Sequence, residues 1–439
     1  MTEKRKAIYI PAYSDGILSM LYGKTDEEVK QDIQPDMIEK KSLRIYNDSL
    51  DTYFKYPWML VSAGIFYTKD DLREKIKAEK AKVFVDSGGY QLARGTVPAE
   101  TYTDKVALEW SEKNGDIFPI LDRPSFNTGP DKPLKSYAEC LEKSIASAKY
   151  YTENRTRSDA KILNVLQGQS EDVMEKWYNK VKDFKLDGWG IGGTQGNINR
   201  VIAALRLLHR KGELKDSKYV HIFGVSSSEM MLLLDWTQRV LNSMDIDIQL
   251  TYDATSWNRA AVFGGIFLYP NLVSGIQQLQ FTNQSELVDS NLRHLSYDLN
   301  VEYSELGKEF RMPCDDSVIF NDIKSTYDMI NTLASNKDKE ITFRKFNILV
   351  GYHNLHMQLK YIDMVNNWLD NAPKQLQKSV WDSNKYNKKK GIAASSHTTI
   401  WKKMQLVESF LKNPTESLVN VNMITNKSPL NKQGEGVLF

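Results

Sequence analysis

The chain has 439 residues, of which 41% are hydrophobic and 26% charged, and its formal net charge is +2. This composition is typical of a globular protein and excludes a largely disordered chain. The N-terminus lacks the apolar core of a signal peptide, and no apolar run approaches the roughly 18 residues of a membrane span, so we expect a cytoplasmic protein without a membrane partner. Its two cysteines, Cys140 and Cys314, are too few and too distant for a disulfide framework.

Residues 1–55 are predicted to form an N-terminal cover, which includes the β-like run AIYIPAY and the charged helical run TDEEVKQDI. The run YPWMLVSAG then predicts the first strand of the main domain. Six more apolar runs follow, and each ends on a small, polar or acidic residue. These runs are VFVDSGGYQ, IFPILD, ILNVLQG, GWGIGG, HIFGVS and IQLTYD.

The ends of the six runs are separated by 36, 45, 26, 31 and 29 residues. Because a parallel strand returns through a crossover, this spacing is typical of strand-plus-helix units. The segments AETYTDKVALEWSEKNG and KSYAECLEKSIASAKYYTE have the periodicity of such crossover helices. We therefore expect an α/β fold, a (β/α)8 TIM-like barrel with polar groups at the strand ends. A doubly wound open sheet is the alternative, but it would concentrate those groups at one switch point. The run ends are Asp86, Asp122, Gln167, Gly193, Gly224 and Asp253.

The run NRAAVFGGIFLYP predicts the eighth barrel strand, and a polar insertion is expected at about 285–340. HNLHMQLKYIDMVNNWL then predicts the last barrel helix, packed on the first. The barrel domain is thus expected to span 56–370, and 371–439 to form a C-terminal helical and tail extension.

Two aspartates at the predicted strand ends suit cleavage of a glycosidic bond. One carboxylate can attack the anomeric carbon while the other handles the proton of the leaving group. Asp86 and Asp253 are the candidates. The alternatives are that Asp86 only caps the following helix and that Asp253 only pairs with Arg259.

Two further strand ends suit recognition of a guanine-like ring. A carboxylate at Asp122 can accept from N1–H and the 2-amino group, while the Gln167 amide or the Gly193 backbone N–H can donate to O6. Tyr90 and Phe223 occupy loop positions from which they can sandwich a planar base. The alternative for either aromatic residue is packing alone, which is the more common role of such a side chain.

The ordered set DSGGYQ, the Asp122 strand end, LQG, GIGG, FGV and the Asp253 strand end resembles the tRNA-guanine transglycosylase family, also called queuine tRNA-ribosyltransferases. The resemblance covers residues 58–265 and extends more weakly to HNLHMQLKYI. It implies a pentosyltransferase that exchanges guanine for a 7-deazaguanine base.

The resemblance also implies roles for individual residues. Asp253 matches the nucleophile that attacks C1′, and Asp86 matches the general acid/base. Asp122, Gln167 and Gly193 match the positions that recognise the base, with Ser87 and Gly168 beside them, and Tyr90 and Phe223 match the stacking pair.

The sequence departs from the tRNA-modifying members of this family at their zinc site. Those proteins carry three closely spaced cysteines and a histidine after the eighth strand. Here His353 resembles the histidine, but only Cys314 lies in the cysteine region, where Asp315 and Asp316 are the remaining candidate ligands. Because a closed zinc site needs about four ligands, we expect no structural zinc, and no other metal or organic cofactor is implied.

A second departure follows the nucleophile, where ATSWNRA replaces a proline-threonine-arginine type of loop. Departures of this kind resemble the branch, often called DpdA-like, that inserts a preQ0-type 7-deazaguanine into DNA. DNA is therefore the favoured partner, together with the free base and a homodimer partner or accessory proteins. Arg259 and the lysines Lys388, Lys389 and Lys390 are predicted to contact phosphates, although a lysine run is also an ordinary solvated surface.

Three alternatives stay open. The same exchange could act on tRNA, and retained zinc would favour it. A non-catalytic nucleic-acid-binding subunit would be expected to lack one of the two aspartates. A small-sugar glycosidase would leave Gln167, GIGG and the aromatic pair unexplained.

Overall fold

The computed structural model of the protein describes most of the barrel and two later helices. The described residues are 5–33, 40–125, 136–194, 196–267, 269–270, 272, 275–276, 278–280, 336–371 and 400–414.

Eight parallel strands form one sheet, in the order β1-β8-β7-β6-β5-β4-β3-β2. The strands are β1 Ile8–Pro11, β2 Trp58–Ser62, β3 Lys82–Asp86, β4 Ile117–Pro119, β5 Lys161–Leu166, β6 Gly188–Ile191, β7 Tyr219–Ile222 and β8 Gln249–Ala254. A parallel bridge between Ala12 and Leu60 links the two ends of this order, and the Tyr13 N–H donates to the Leu60 carbonyl at 3.0 Å. The predicted (β/α)8 barrel is confirmed.

The first strand of the barrel is the run AIYIPAY, which is therefore not part of the predicted N-terminal cover. Residues 8–11 of this run pair with residues 251–254 of β8 along its length. Ile8, Ile10 and Ala12 alternate into the barrel interior, whereas Tyr9 packs among the outer helices. The prediction that 1–55 is only a cover is therefore wrong for this strand, and YPWMLVSAG supplies β2.

The run NRAAVFGGIFLYP is not a barrel strand. It forms helix α12, Ser256–Val262, and the short strand β9, Gly265–Phe267, which pairs antiparallel with β10, Gln278–Gln280. Because β1 already closes the ring beside β8, the barrel has no place for a further strand. Asp253, the polar residue at the end of the run IQLTYD, therefore lies on the last strand of the barrel.

Helices separate the strands, as the periodicity predicts. The first twelve are α1 Asp15–Leu21, α2 Asp26–Ile33, α3 Ala63–Phe66, α4 Leu72–Lys75, α5 Gly89–Arg94, α6 Asp104–Asn114, α7 Tyr137–Asn154, α8 Glu171–Val181, α9 Ile198–Arg210, α10 Glu213–Asp216, α11 Ser228–Ser243 and α12. The two helices predicted from periodicity, α6 and α7, begin after Thr103 and Ser136. Each of these side chains accepts a backbone N–H in the first turn, which explains where the helices begin.

Two helices follow the barrel in the chain. The predicted run HNLHMQLKYIDMVNNWL lies within α13, Asn336–Asn371, which packs against α11 and α12 and also contacts α2. Helix α14, Ile400–Lys412, packs on α9 and α11, where the Trp236 indole N–H donates to the Met404 carbonyl at 2.9 Å. The predicted insertion, apart from the start of α13, and the rest of the C-terminal extension lie outside the described residues.

The hydrophobic core has two parts. The larger part lies between the strands and the outer helices. The smaller part fills the barrel interior with Ile10, Ala12, Leu60, Phe84, Ile117 and Leu163. Because apolar side chains fill most of the interior, a ligand site is expected at the ends of the barrel. Among the helices described, none combines the length and apolarity that a membrane crossing requires.

Candidate active site

The carboxyl ends of the strands bring together four of the residues singled out in the sequence. Asp86 is the last residue of β3, Asp253 lies at the end of β8, and Asp122 and Gln167 follow β4 and β5. In a parallel barrel these ends form one open face. The candidate active site is this face.

Asp86 is partly buried and acts as an acceptor in two hydrogen bonds. The Ser62 hydroxyl donates to its Oδ2 at 3.2 Å, and the Gly88 backbone N–H also donates to it. Burial, followed by the negative charges of Asp253 and Asp122, outweighs these contacts and raises the pKa of Asp86 to about 7. The contact with Gly88, the residue before α5, shows that Asp86 also supports the start of this helix.

The two glycines of DSGGYQ let the turn after Asp86 approach its neighbours closely. Gly88 has φ +82°, and a Cβ there would lie 2.6 Å from the Cα of Gly64. A Cβ on Gly89 would lie 2.4 Å from the carbonyl oxygen of Asp122. The turn can therefore pack against the backbones of Gly64 and Asp122 only without side chains at these positions. The Tyr102 hydroxyl fixes it further by donating to the Ser87 carbonyl at 2.6 Å.

Asp122 is buried and binds two of the predicted base-recognition residues. The Gln167 amide Nε2 donates to Oδ2 at 2.6 Å, and the Ser87 hydroxyl lies 3.4 Å from Oδ1. Burial raises the pKa of Asp122, although these hydrogen bonds and the nearby Arg123 lower it. Asp122 thus presents an oriented carboxylate beside Asp86.

The GIGG run accommodates the Gln167 side chain. A Cβ on Gly192 would lie 2.4 Å from Gln167 Nε2, so the glycine leaves the space that the amide fills. Gly193 has φ +69° and lies beside the same amide, since a Cβ there would lie 3.3 Å from Gln167 Oε1. Gly168 directly follows Gln167 in the chain and has φ +151°. The predicted base-binding residues of β5 and β6 are therefore in contact.

Asp253 accepts two hydrogen bonds on the same oxygen. The Gly224 backbone N–H lies 2.9 Å from Oδ1 and His221 Nε2 lies 3.3 Å from it. Its side chain is 14% exposed, so the carboxylate reaches the open face. Gly224, with φ +72°, directs its N–H toward Asp253 in the turn after β7.

The two predicted stacking residues lie on the rim in different surroundings. Tyr90, in the first turn of α5, is 40% exposed. Phe223 follows β7 and is partly buried, and its ring packs edge-on against Phe84 and His221 at centroid distances of 6.4 and 4.7 Å. The packing expected for Phe223 is present, and its ring still borders the open face.

A groove of about 700 Å³ runs from the Asp253 side of the face along α12. Its lining includes Gly224, Ala254, Arg259 and Phe263, and the Arg259 guanidinium lies 5.7 Å from the centre of the Phe263 ring. Phe263 is 64% exposed, the most exposed of the large hydrophobic residues described. A cation and an exposed aromatic ring therefore border the candidate site.

Three polar residues of the site were not predicted. Ser62 donates to Asp86, while His221 and Thr251 are buried below Asp253. Side chains two residues apart on a strand face the same side. His221 and Thr251 lie two residues before Phe223 and Asp253, so this period could have predicted that they face the site.

Of the residues that resemble zinc ligands, the structure describes only His353. His353 is fully buried, and its Nε2 lies 2.9 Å from the Phe267 carbonyl oxygen, so this nitrogen donates to the backbone. Burial lowers the pKa of His353 to about 4. The described residues contain no cluster of three or more histidine, cysteine, aspartate or glutamate side chains that could hold a metal ion. Cys314, Asp315, Asp316 and the three lysines at 388–390 lie outside the described residues.

The fold and the site define a (β/α)8 barrel protein whose open face holds three neighbouring aspartates, one of them with a near-neutral pKa. No protein-family model and no curated protein matches the chain. Its function must therefore be argued from the site.

Proposed function

We propose that the protein is a base-exchange transglycosylase that replaces guanine with a 7-deazaguanine of the preQ0 type in DNA. The observation that carries the proposal is the pair Asp86 and Asp253, in which burial and the second carboxylate raise the pKa of Asp86 to about 7. A group that titrates near neutral pH can both give and take a proton during one cycle. The oriented carboxylate of Asp253 supplies the nucleophile.

The exchange proceeds in two balanced steps. An Asp253 oxygen forms a bond to C1′ as the C1′–N9 bond breaks, and the proton of Asp86 goes to the departing guanine. The incoming base then loses its N9 proton to Asp86 and attacks C1′, which breaks the ester and restores the Asp253 carboxylate. No proton or electron is left over, and the reaction needs no further reactant.

The contacts of Asp122 support a guanine-type ring as the base. Its carboxylate, held by Gln167 and Ser87, can accept from the N1–H and the 2-amino group of guanine. Adenine has neither donor in these positions, so a buried carboxylate would face the base without a donor from it. The site should therefore reject adenine strongly.

Extrusion of the target nucleotide is required because C1′ and the base are not accessible to these side chains within a stacked duplex. Tyr90 and Phe223 on the rim are suited to stack on the extruded base, and Arg259 with Phe263 is suited to the flanking strand. Lys388, Lys389 and Lys390 remain proposed phosphate contacts.

DNA is favoured over tRNA because the sequence departs from the resembled tRNA enzymes at the zinc ligands and in the loop after Asp253. In the tRNA branch the histidine that His353 resembles would serve as a metal ligand.

The proposal is tested by incorporation of labelled guanine into duplex DNA and into unmodified tRNA, measured side by side. We expect labelling of DNA by the wild type and none by Asp253→Asn. Asp247→Asn is the matched control, because Asp247 lies just before the same strand, is 79% exposed and pairs with Arg5. Labelling of tRNA alone would assign the protein to the tRNA branch, and full activity of Asp253→Asn would refute the mechanism.

A further inference from the structure

A histidine lies directly below the proposed nucleophile in the barrel interior. His221 is on β7, and its register partner on the neighbouring strand β8 is Thr251. Its side chain is fully buried, and the ring stacks on Phe84 with a centroid distance of 4.0 Å and an interplanar angle of 25°. The ring therefore has one fixed orientation.

Both ring nitrogens of His221 have a partner. Nδ1 lies 2.9 Å from the Thr251 hydroxyl oxygen, and Nε2 lies 3.3 Å from Asp253 Oδ1. A carboxylate oxygen only accepts hydrogen bonds, so the nitrogen that faces it must carry a hydrogen. The Thr251 hydroxyl can donate to Nδ1 and thereby favour the tautomer with the hydrogen on Nε2.

The hydrogen bonds to Asp253 are distributed unequally over its carboxylate. The Gly224 N–H and His221 Nε2 both approach Oδ1. Within the described residues, Oδ2 forms no hydrogen bond. This arrangement distinguishes the two oxygens before any substrate binds.

We propose that His221 is a positioning residue that holds Oδ1 of Asp253 and leaves Oδ2 as the oxygen that attacks C1′. The inference rests on the proposed function, since it assigns the atoms of that reaction. When the C1′–Oδ2 bond forms, Oδ1 becomes the carbonyl oxygen of the ester. When the incoming base breaks that bond, the electron pair returns to the carboxylate, and His221 keeps its own proton throughout.

The effect of His221 should be greater on the second step than on the first. A donor stabilises a carboxylate more than it stabilises a neutral ester carbonyl, so His221 makes Asp253 a better leaving group. Without the donor, the ester should form with poorer geometry and break more slowly. The enzyme should then hold a larger fraction of its molecules as the covalent adduct.

The test compares His221→Phe, which keeps a ring for packing on Phe84, with His221→Gln, whose amide can restore a donor near the Nε2 position. We expect kcat of base exchange to fall by roughly 10²-fold in His221→Phe, with KM within about threefold and a larger fraction of covalent adduct. His221→Gln should recover most of the loss. His209→Phe, on the outer helix α9, is the control for a histidine-to-phenylalanine change.

Melting temperatures show whether each variant is folded. Folded His221→Phe with kcat near that of the wild type, or folded His221→Gln as impaired as His221→Phe, would overturn the proposal.

A second readout does not depend on catalysis. Nitrogen-15 NMR of histidine-labelled protein, with His221→Gln to assign the signal, should show a hydrogen on Nε2 of His221. An unprotonated Nε2 would overturn the proposal even if the enzyme exchanges bases. An inactive wild type with a protonated Nε2 would instead refute the proposed function and retain the hydrogen bond to Asp253.

Discussion

The two ends of the barrel carry aspartates in opposite electrostatic settings. At the amino ends of the strands, Asp116 and Asp187 come directly before β4 and β6. Asp116 pairs with Arg73 at 2.9 Å and Asp187 with Arg155 at 3.1 Å. Each carboxylate also accepts the backbone N–H of a neighbouring strand. These aspartates are compensated by cations and hold the strand starts together.

At the carboxyl ends, Asp86 and Asp122 form no ion pair within the described residues, and the charged group nearest in sequence, Arg123, only partly offsets the burial of Asp122. The negative charges of Asp253 and Asp122 add to the burial of Asp86. Such an arrangement costs stability and shifts pKa values, which is typical of a catalytic site rather than of a structural one. The difference separates the end of the barrel that carries the proposed active site from the end whose aspartates are paired with cations.

The largest expected effect is on chemistry at the carboxyl end. Asp86→Asn removes the proton donor and should lower the single-turnover rate of guanine release by roughly 10²- to 10³-fold. In the wild type this rate should fall as pH rises above about 7, because the acid form of Asp86 is lost. Rapid-quench measurements from pH 5 to 9 test both. An unchanged rate in the variant would remove Asp86 from the mechanism.

The same substitution should stabilise the folded protein. The pKa of Asp86 is raised from 3.8 to about 7, so the folded state binds the proton more tightly than the unfolded state does. The wild type therefore loses stability as pH rises from about 4 to about 7. Asp86→Asn lacks this loss, and its free energy of unfolding should exceed that of the wild type by on the order of 4 kcal/mol above pH 7.

Urea denaturation at pH 4.5 and pH 8 measures that difference, which should be small at the lower pH. Asp116→Asn is the contrasting variant, since it removes a carboxylate that pairs with Arg73 and should destabilise the protein. A destabilised Asp86→Asn at pH 8 would place Asp86 with the structural aspartates.

Base preference should change in Asp122→Asn. The amide lacks the second acceptor oxygen that guanine needs, so competition by free guanine should weaken by roughly 10- to 100-fold relative to other purines. Competition assays with a panel of purines and 7-deazapurines measure this preference. The same ranking of bases in variant and wild type would count against the Asp122 contact.

The smallest expected effect lies at the amino end. Arg73→Met leaves Asp116 without its cation and should lower the free energy of unfolding by about 1–2 kcal/mol, a modest value because both side chains are partly exposed. The kcat of the folded variant should equal that of the wild type. A large loss of kcat at matched stability would show that the two ends are not independent.

The sequence predicted the barrel and the clustering of Asp86, Asp122, Gln167 and Asp253, because strand ends of a parallel sheet converge whatever the helices do. It predicted YPWMLVSAG, which forms β2, as the first strand, so each predicted strand is one place further along the barrel than expected. The short run at residues 8–11 is separated from β2 by about 46 residues, so its spacing does not match the other units. Its pairing with β8 depends on closure of the ring, which local pattern does not reveal.

The polar partners of the two aspartates were missed for a related reason. Ser62 and His221 act through cross-strand contacts, and neither stands in a motif around Asp86 or Asp253. The contact of Gln167 with Asp122 likewise depends on the space beside Gly192, which is evident only in the folded structure. Positions along strands were thus predictable, whereas contacts between strands required the structure.

The most direct test of the central claim is detection of the covalent intermediate. Wild type incubated with guanine-containing duplex DNA and no free base should form a denaturation-resistant adduct, and peptide mass spectrometry should locate the sugar on Asp253. Asp253→Asn should form none, and Asp247→Asn should form as much as the wild type. An adduct on another residue, or guanine exchange by the wild type without any adduct under these conditions, would contradict the proposed role of Asp253.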